Sequence, residues 1–60
     1  MKYSIYTKSD SRLMRSDITG KNHAIKITEW LKKCNPNEDY EVHRIIPNTY
    51  NILVYSTNTI

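Results

Sequence analysis

One cysteine, one glycine, two prolines and no phenylalanine occur in a chain of 60 residues. Each scarcity excludes something. Cys34 alone can form no internal disulfide and gives no cysteine pair from which a zinc site could begin, so a reducing compartment is the natural reading. Gly20 alone cannot build a phosphate-cradling loop, and TGKN, residues 19–22, is too short to count as part of one. No run of about 18 apolar residues occurs that could form a spanning helix, and MKYSIYTKSD has no apolar stretch suited to a signal peptide. A soluble, cytoplasmic protein is expected. Repeats, linkers and low-complexity segments are missing too, so residues 1–60 read as one small domain, close to the lower size limit for a core without disulfides or metal.

Charge is also scarce in net terms. Nine basic residues against six acidic give +3, a slight preference for anions that is ordinary for a small domain. Asn, Lys, Tyr, Ile and Thr are plentiful, a bias that accompanies AT-rich genomes. A short reading frame of this kind suits a bacteriophage or mobile element, which would place the protein in the host cytoplasm.

What is present begins with residues 21–35, KNHAIKITEWLKKCN. At 100° per residue His23, Ala24, Ile27, Trp30, Leu31 and Cys34 share one side, and Lys21, Asn22, Lys26, Glu29, Lys32 and Lys33 the other, with Ile25 as the misfit. The pattern predicts an amphipathic helix. Asn22 is the expected N-cap, Lys32 and Lys33 suit the negative end of the helix dipole, and Asn35 with Pro36 stops it.

Either side of the helix the period is two. KYSIYTK, residues 2–8, reads as a strand, the polar run Ser9, Asp10, Ser11 as a turn, and residues 12–19 as a weaker strand completing a hairpin, with loop or a helical turn as the alternative for residues 11–18. After the polar connection 35–39 come a strand at 40–46, a turn at Pro47, Asn48 and Thr49, and the most apolar strand at 50–57, before a frayed end. The expected fold is α+β in ββαββ order: one small mixed or antiparallel sheet with a single amphipathic helix on one face. If the first and last strands sit together in the middle, as parallel neighbours, the layout is β-grasp-like. The expected core is Ile5, Met14, Ile18, Ala24, Ile27, Trp30, Leu31, Val42, Ile52 and Val54.

Little chemistry is on offer. Cys34 could act as a nucleophile only with His23 or His43 as base, yet His23 lies about three helical turns away and Cys34 falls on the apolar stripe, as a small filler would. His23, Cys34 and His43 have no metal-ligand spacing, so neither a metal nor a cofactor is expected. Glu38, Asp39 and Glu41 cluster, but without apolar surroundings to raise a pKa they read as a solvated acidic edge. No enzymatic activity is indicated.

What remains is surface. The two-residue period sends Tyr6, Leu13, Arg15, His43, Ile45, Leu53 and Tyr55 to the sheet face away from the helix, which is more apolar than solvent contact alone calls for. The first expectation is a protein-binding module, an inhibitor or adaptor acting stoichiometrically on a larger host protein, with Tyr6, Arg15, His43, Leu53 and Tyr55 as contacts. The same face could pair with itself in a homodimer. The alternative is a nucleic-acid-binding protein in which Tyr6 and Tyr55 stack on bases and Lys8, Arg12 and Arg15 of the hairpin, or Lys26, Lys32 and Lys33 of the helix, meet phosphates. The modest charge and the acidic run 38–41 weigh against it.

Overall fold

The computed structural model describes residues 1–57. Four strands and one helix follow in the order β1 (Lys2–Thr7), β2 (Leu13–Thr19), α1 (Lys21–Cys34), β3 (Tyr40–Ile45) and β4 (Ile52–Ser56). The strands form one antiparallel sheet in the order β2-β1-β3-β4. This is the α+β, ββαββ architecture that the two periodicities predict. The β-grasp arrangement is not formed: the central neighbours are β1 and β3, running antiparallel, and β4 lies at an edge. No helix among the described residues is long and apolar enough to cross a membrane.

The centre of the molecule is the cross-strand pair Ile5 and Val42, both fully buried. Cross-strand partners share a face of the sheet, so Tyr3, Ile5 and Thr7 of β1 lie beside Arg44, Val42 and Tyr40 of β3 on the helix side. Tyr3, Ile5, Ile18, Ala24, Tyr40 and Val42 form the buried core, with Met14, Ile27, Leu31, Val54 and Tyr55 packed around it. Tyr3 and Tyr40 supply ring volume at the two ends of the central pair.

Helix α1 presents a different stripe from the expected one. Ala24 and Thr28 are its buried residues, Ile25, Ile27 and Leu31 are half-buried, and His23, Trp30 and Cys34 are exposed. Relative to the periodicity reading the helix is turned by roughly a quarter of a revolution. Two small side chains at the contact let it lie close on the sheet, and Thr28 is tolerated there because its hydroxyl donates to the Ala24 carbonyl at 2.8 Å. Turning toward Ile25, the misfit of the pattern, lifts Trp30 out to 61% exposure. Trp30 and Ile52, the latter on the edge strand at 44% exposure, are therefore not core residues.

The helix ends also differ in detail. Gly20, not Asn22, is the N-cap; it has φ 91° and offers no side-chain cap. At the other end the Asn35 amide donates to the Leu31 carbonyl at 2.9 Å, and Lys32 folds over the terminus. Its Nζ lies 2.9 Å from the Pro36 carbonyl, 3.0 Å from that of Glu38 and 2.8 Å from Asp39 Oδ1. Thr57 Oγ1 donates to the same carboxylate and accepts from the Tyr40 amide, while the Lys8 amide donates to the Asp39 carbonyl. One lysine and one aspartate thus tie the helix to the ends of β1, β3 and β4.

The β1–β2 loop is held by Thr7, whose hydroxyl donates to Asp10 and accepts from the Arg12 amide. Asp10 is held below the usual carboxylate range, first by that Thr7 bond and further by Arg12. Residues 12–19 do form a strand, from Leu13, but one broken by register shifts on either side of Ile5 and by Asp17 at φ 57°. Pro47, Asn48 and Thr49 make the expected turn, closed by a Thr49 amide to Ile46 carbonyl bond of 3.3 Å. β4 is shorter than the run 50–57, leaving Tyr50 in the loop at 81% exposure. The expectation of a frayed end falls on residues 58–60, outside the described residues.

Truncating Ile5 to Ala should cost about 2–5 kcal/mol, because a fully buried side chain leaves a cavity between sheet and helix. Trp30→Ala should change stability by less than about 1 kcal/mol. Urea denaturation of both variants checks the ranking. Asp39 gives a separate test: its carboxyl is held below the usual range, first by the hydrogen bond from Lys32, then by that lysine's charge, Thr57 and Lys8, against some desolvation. A depressed folded-state pKa adds stability that is present above the unfolded pKa and drains as pH falls through the folded value. Asp39→Asn should accordingly flatten the fall of stability below about pH 4, as read by thermal unfolding across pH.

Candidate functional site

With the helix on one side, the other side of the sheet is set by strand register. Lys2, Ser4 and Tyr6 of β1 sit opposite Ile45, His43 and Glu41 of β3; Leu13 of β2 sits opposite Tyr6, and Leu53 of β4 opposite His43. Tyr6, Leu13, His43, Ile45 and Leu53 therefore share the open face, as the period predicts. Leu13 and Leu53, at 52% and 51% exposure, flank the half-buried Tyr6 and His43.

Tyr6 and His43 are in contact. Their ring centroids are 5.0 Å apart with planes at 63°, the edge-to-face geometry that places a positive ring edge against a negative face. His43 Nε2 also lies 3.3 Å from Glu41 Oε1, on the next open-face position of the same strand. Tyr6, Ser11, Glu41, His43 and Asn51 line a depression of about 210 Å³. Beneath the rings Ser4 is almost fully buried, and its hydroxyl has no hydrogen-bond partner among the described residues. The face is consequently a layer of side chains closing over the sheet, with a polar notch between Tyr6 and Asn51.

Two expected members do not belong to it. A register shift between Val42 and His43 makes Tyr55 the partner of Val42, and Tyr55 packs against the core on the helix side. Arg15 is likewise the partner of Ile5, after a shift that inserts Met14, and it stands exposed at the β2 edge. An uninterrupted alternation would have put both on the open face; the bulges reverse it. Of the expected contacts, Tyr6, His43 and Leu53 are brought together, whereas Tyr6 and Tyr55 lie on opposite sides of the sheet.

The hairpin cations Lys8 and Arg12 are exposed near the end of β1, and Lys26 and Lys33 on the far side of the helix. Lys32 is engaged by Asp39 at 2.8 Å. The acidic run is divided. Glu38 accepts from Ser9 Oγ at 2.7 Å and Asp39 takes Lys32, both away from Glu41, which is beside His43. Neither the His23–Cys34 pair nor the carboxylates converge on one point, and the described residues contain no group of three or more His, Cys, Asp or Glu placed to hold a metal ion.

Sequence reasoning also missed Trp30 as a surface residue. Ile25 was the available sign: rotating the stripe to include it expels Trp30. Compared with known proteins, the chain matches no family model, no curated protein and no solved structure.

Proposed function

We propose that this domain is a non-enzymatic protein-binding module, an inhibitor or adaptor that engages one larger protein stoichiometrically through the open sheet face. The observation that carries the reading is the row Leu13, Tyr6, His43 and Leu53, which spans all four strands on the side that the helix leaves bare. Two half-exposed leucines around an aromatic pair are the composition of a contact centre, in which a few rings and aliphatic groups supply most of the binding energy. The notch beside Asn51 and Glu41 would take a polar group of the partner, giving orientation rather than affinity.

Nucleic acid is the second reading, supported by Lys8 and Arg12 exposed near the hairpin loop. Its stacking pair, Tyr6 and Tyr55, is separated by the sheet, and Glu41 adds a negative charge where a phosphate would approach. The protein reading is therefore preferred.

Affinity capture from nuclease-treated extract should recover one protein in stoichiometric amount. Tyr6→Ala and Leu13→Asp should each weaken that complex by about 30-fold or more, as contact-centre residues do, while Tyr6→Phe keeps most of the affinity. Failure to recover a protein, together with oligonucleotide binding that falls steeply with added salt, would establish the nucleic-acid reading instead.

A further inference from the structure

The two edges of the sheet are unlike. β2, at one edge, is broken by two register shifts, by the positive φ of Asp17 and by the charges of Arg15 and Asp17, all features that discourage another strand from pairing with it. β4, at the other, carries one bulge, at Val54, but is otherwise less protected among the described residues: residues 47–57 carry no charge and residues 48–57 no proline. Ile52 and Leu53 are 44% and 51% exposed, and a groove of about 420 Å³ follows residues 53–57. Helix α1 packs on β1, β2 and β3, so the helix side of β4 is only partly roofed.

We propose that β4 pairs antiparallel with β4 of a second copy of this chain, joining two four-stranded sheets into one of eight strands. A two-fold axis sets the residue lying on it against its own copy, so a charge there would meet its own sign; β4 carries no charge at all, which leaves every register free of that repulsion in a chain of net charge +3. The side-chain faces also select a register. Leu53 points to the open face, while Ile52, Val54 and Tyr55 belong to the helix side, the last two through the bulge opposite Val42 and His43. With Leu53 on the axis it meets Leu53 of the second copy on the open face, and Ile52 meets Val54 of the second copy on the helix side. Pairing centred on Val54 would set Leu53 against Tyr55, on opposite faces. In the favoured register the under-roofed strip of β4 lies between the two helices, and both open faces point the same way.

Sedimentation equilibrium of the full chain should give twice the monomer mass of 7.1 kDa, with dissociation on dilution. Leu53→Lys, which opposes two lysines across the axis, should yield a monomer with an unchanged far-ultraviolet circular dichroism spectrum. Tyr6→Ala, on β1 and away from the seam, should remain dimeric. In a Cys34→Ser background, Leu53→Cys should cross-link on mild oxidation by oxidised glutathione, and this variant decides the matter if the lysine variant fails to fold. A monomer at every concentration, a dimer indifferent to Leu53→Lys, or a dimeric cysteine variant that does not cross-link would each overturn the proposal.

Discussion

One helix can cover only one side of a sheet. Fourteen residues make a rod about 21 Å long and 10–12 Å wide, enough to shield the middle of a small sheet and no more. Everything else follows from which side it takes. By sealing Ile5 and Val42 it fixes the core, and by leaving Leu13, Tyr6, His43 and Leu53 outside it creates the surface on which the functional proposal stands. The rings partly compensate for the missing second layer, since Tyr6 and His43 close over Ser4 and bury it without a helix. That cover is thin, and the flanking leucines remain available to a partner.

The placement of the helix depends less on a broad apolar stripe than on close approach and a polar lock. Ala24 and Thr28 bring the backbone near the sheet, and Lys32 fastens the far end to Asp39, from which contacts run to β1, β3 and β4. A chain of this size has few buried side chains to spend on specificity, so a charge-assisted cluster at one end of the core helps to define the orientation that a small apolar contact would leave loose. Gly20 at the other end allows the abrupt passage from β2 into the helix, a conformation with φ 91° that side-chain-bearing residues rarely take.

Element type, order and fold class were legible in the sequence because they depend on periodicity, which the chain declares plainly. Strand order and the fine sorting of faces were not. Tyr55 and Arg15 alternate correctly with their neighbours, yet single-residue bulges, invisible to a period of two, move them to the other side. Trp30 was misplaced for a related reason: the stripe drawn through the largest apolar residues was not the one that lets the helix sit closest, and Thr28, which that pattern assigns to neither side, is fully buried. Of the seven residues that the period assigns to the open face, Tyr6, Leu13, His43, Ile45 and Leu53 lie there and Arg15 and Tyr55 do not. The limits of that surface are set by registers that only the folded sheet defines.

The division of side chains between the two sides of the sheet is most directly tested by nuclear Overhauser spectroscopy of the aromatic rings. The account predicts cross-peaks between the Tyr6 and His43 rings and between the Tyr55 ring and the core methyls of Val42, with none linking Tyr6 to Tyr55. A Tyr6 to Tyr55 cross-peak, or contact of Tyr6 with Ala24 or Ile27 of the helix, would contradict it.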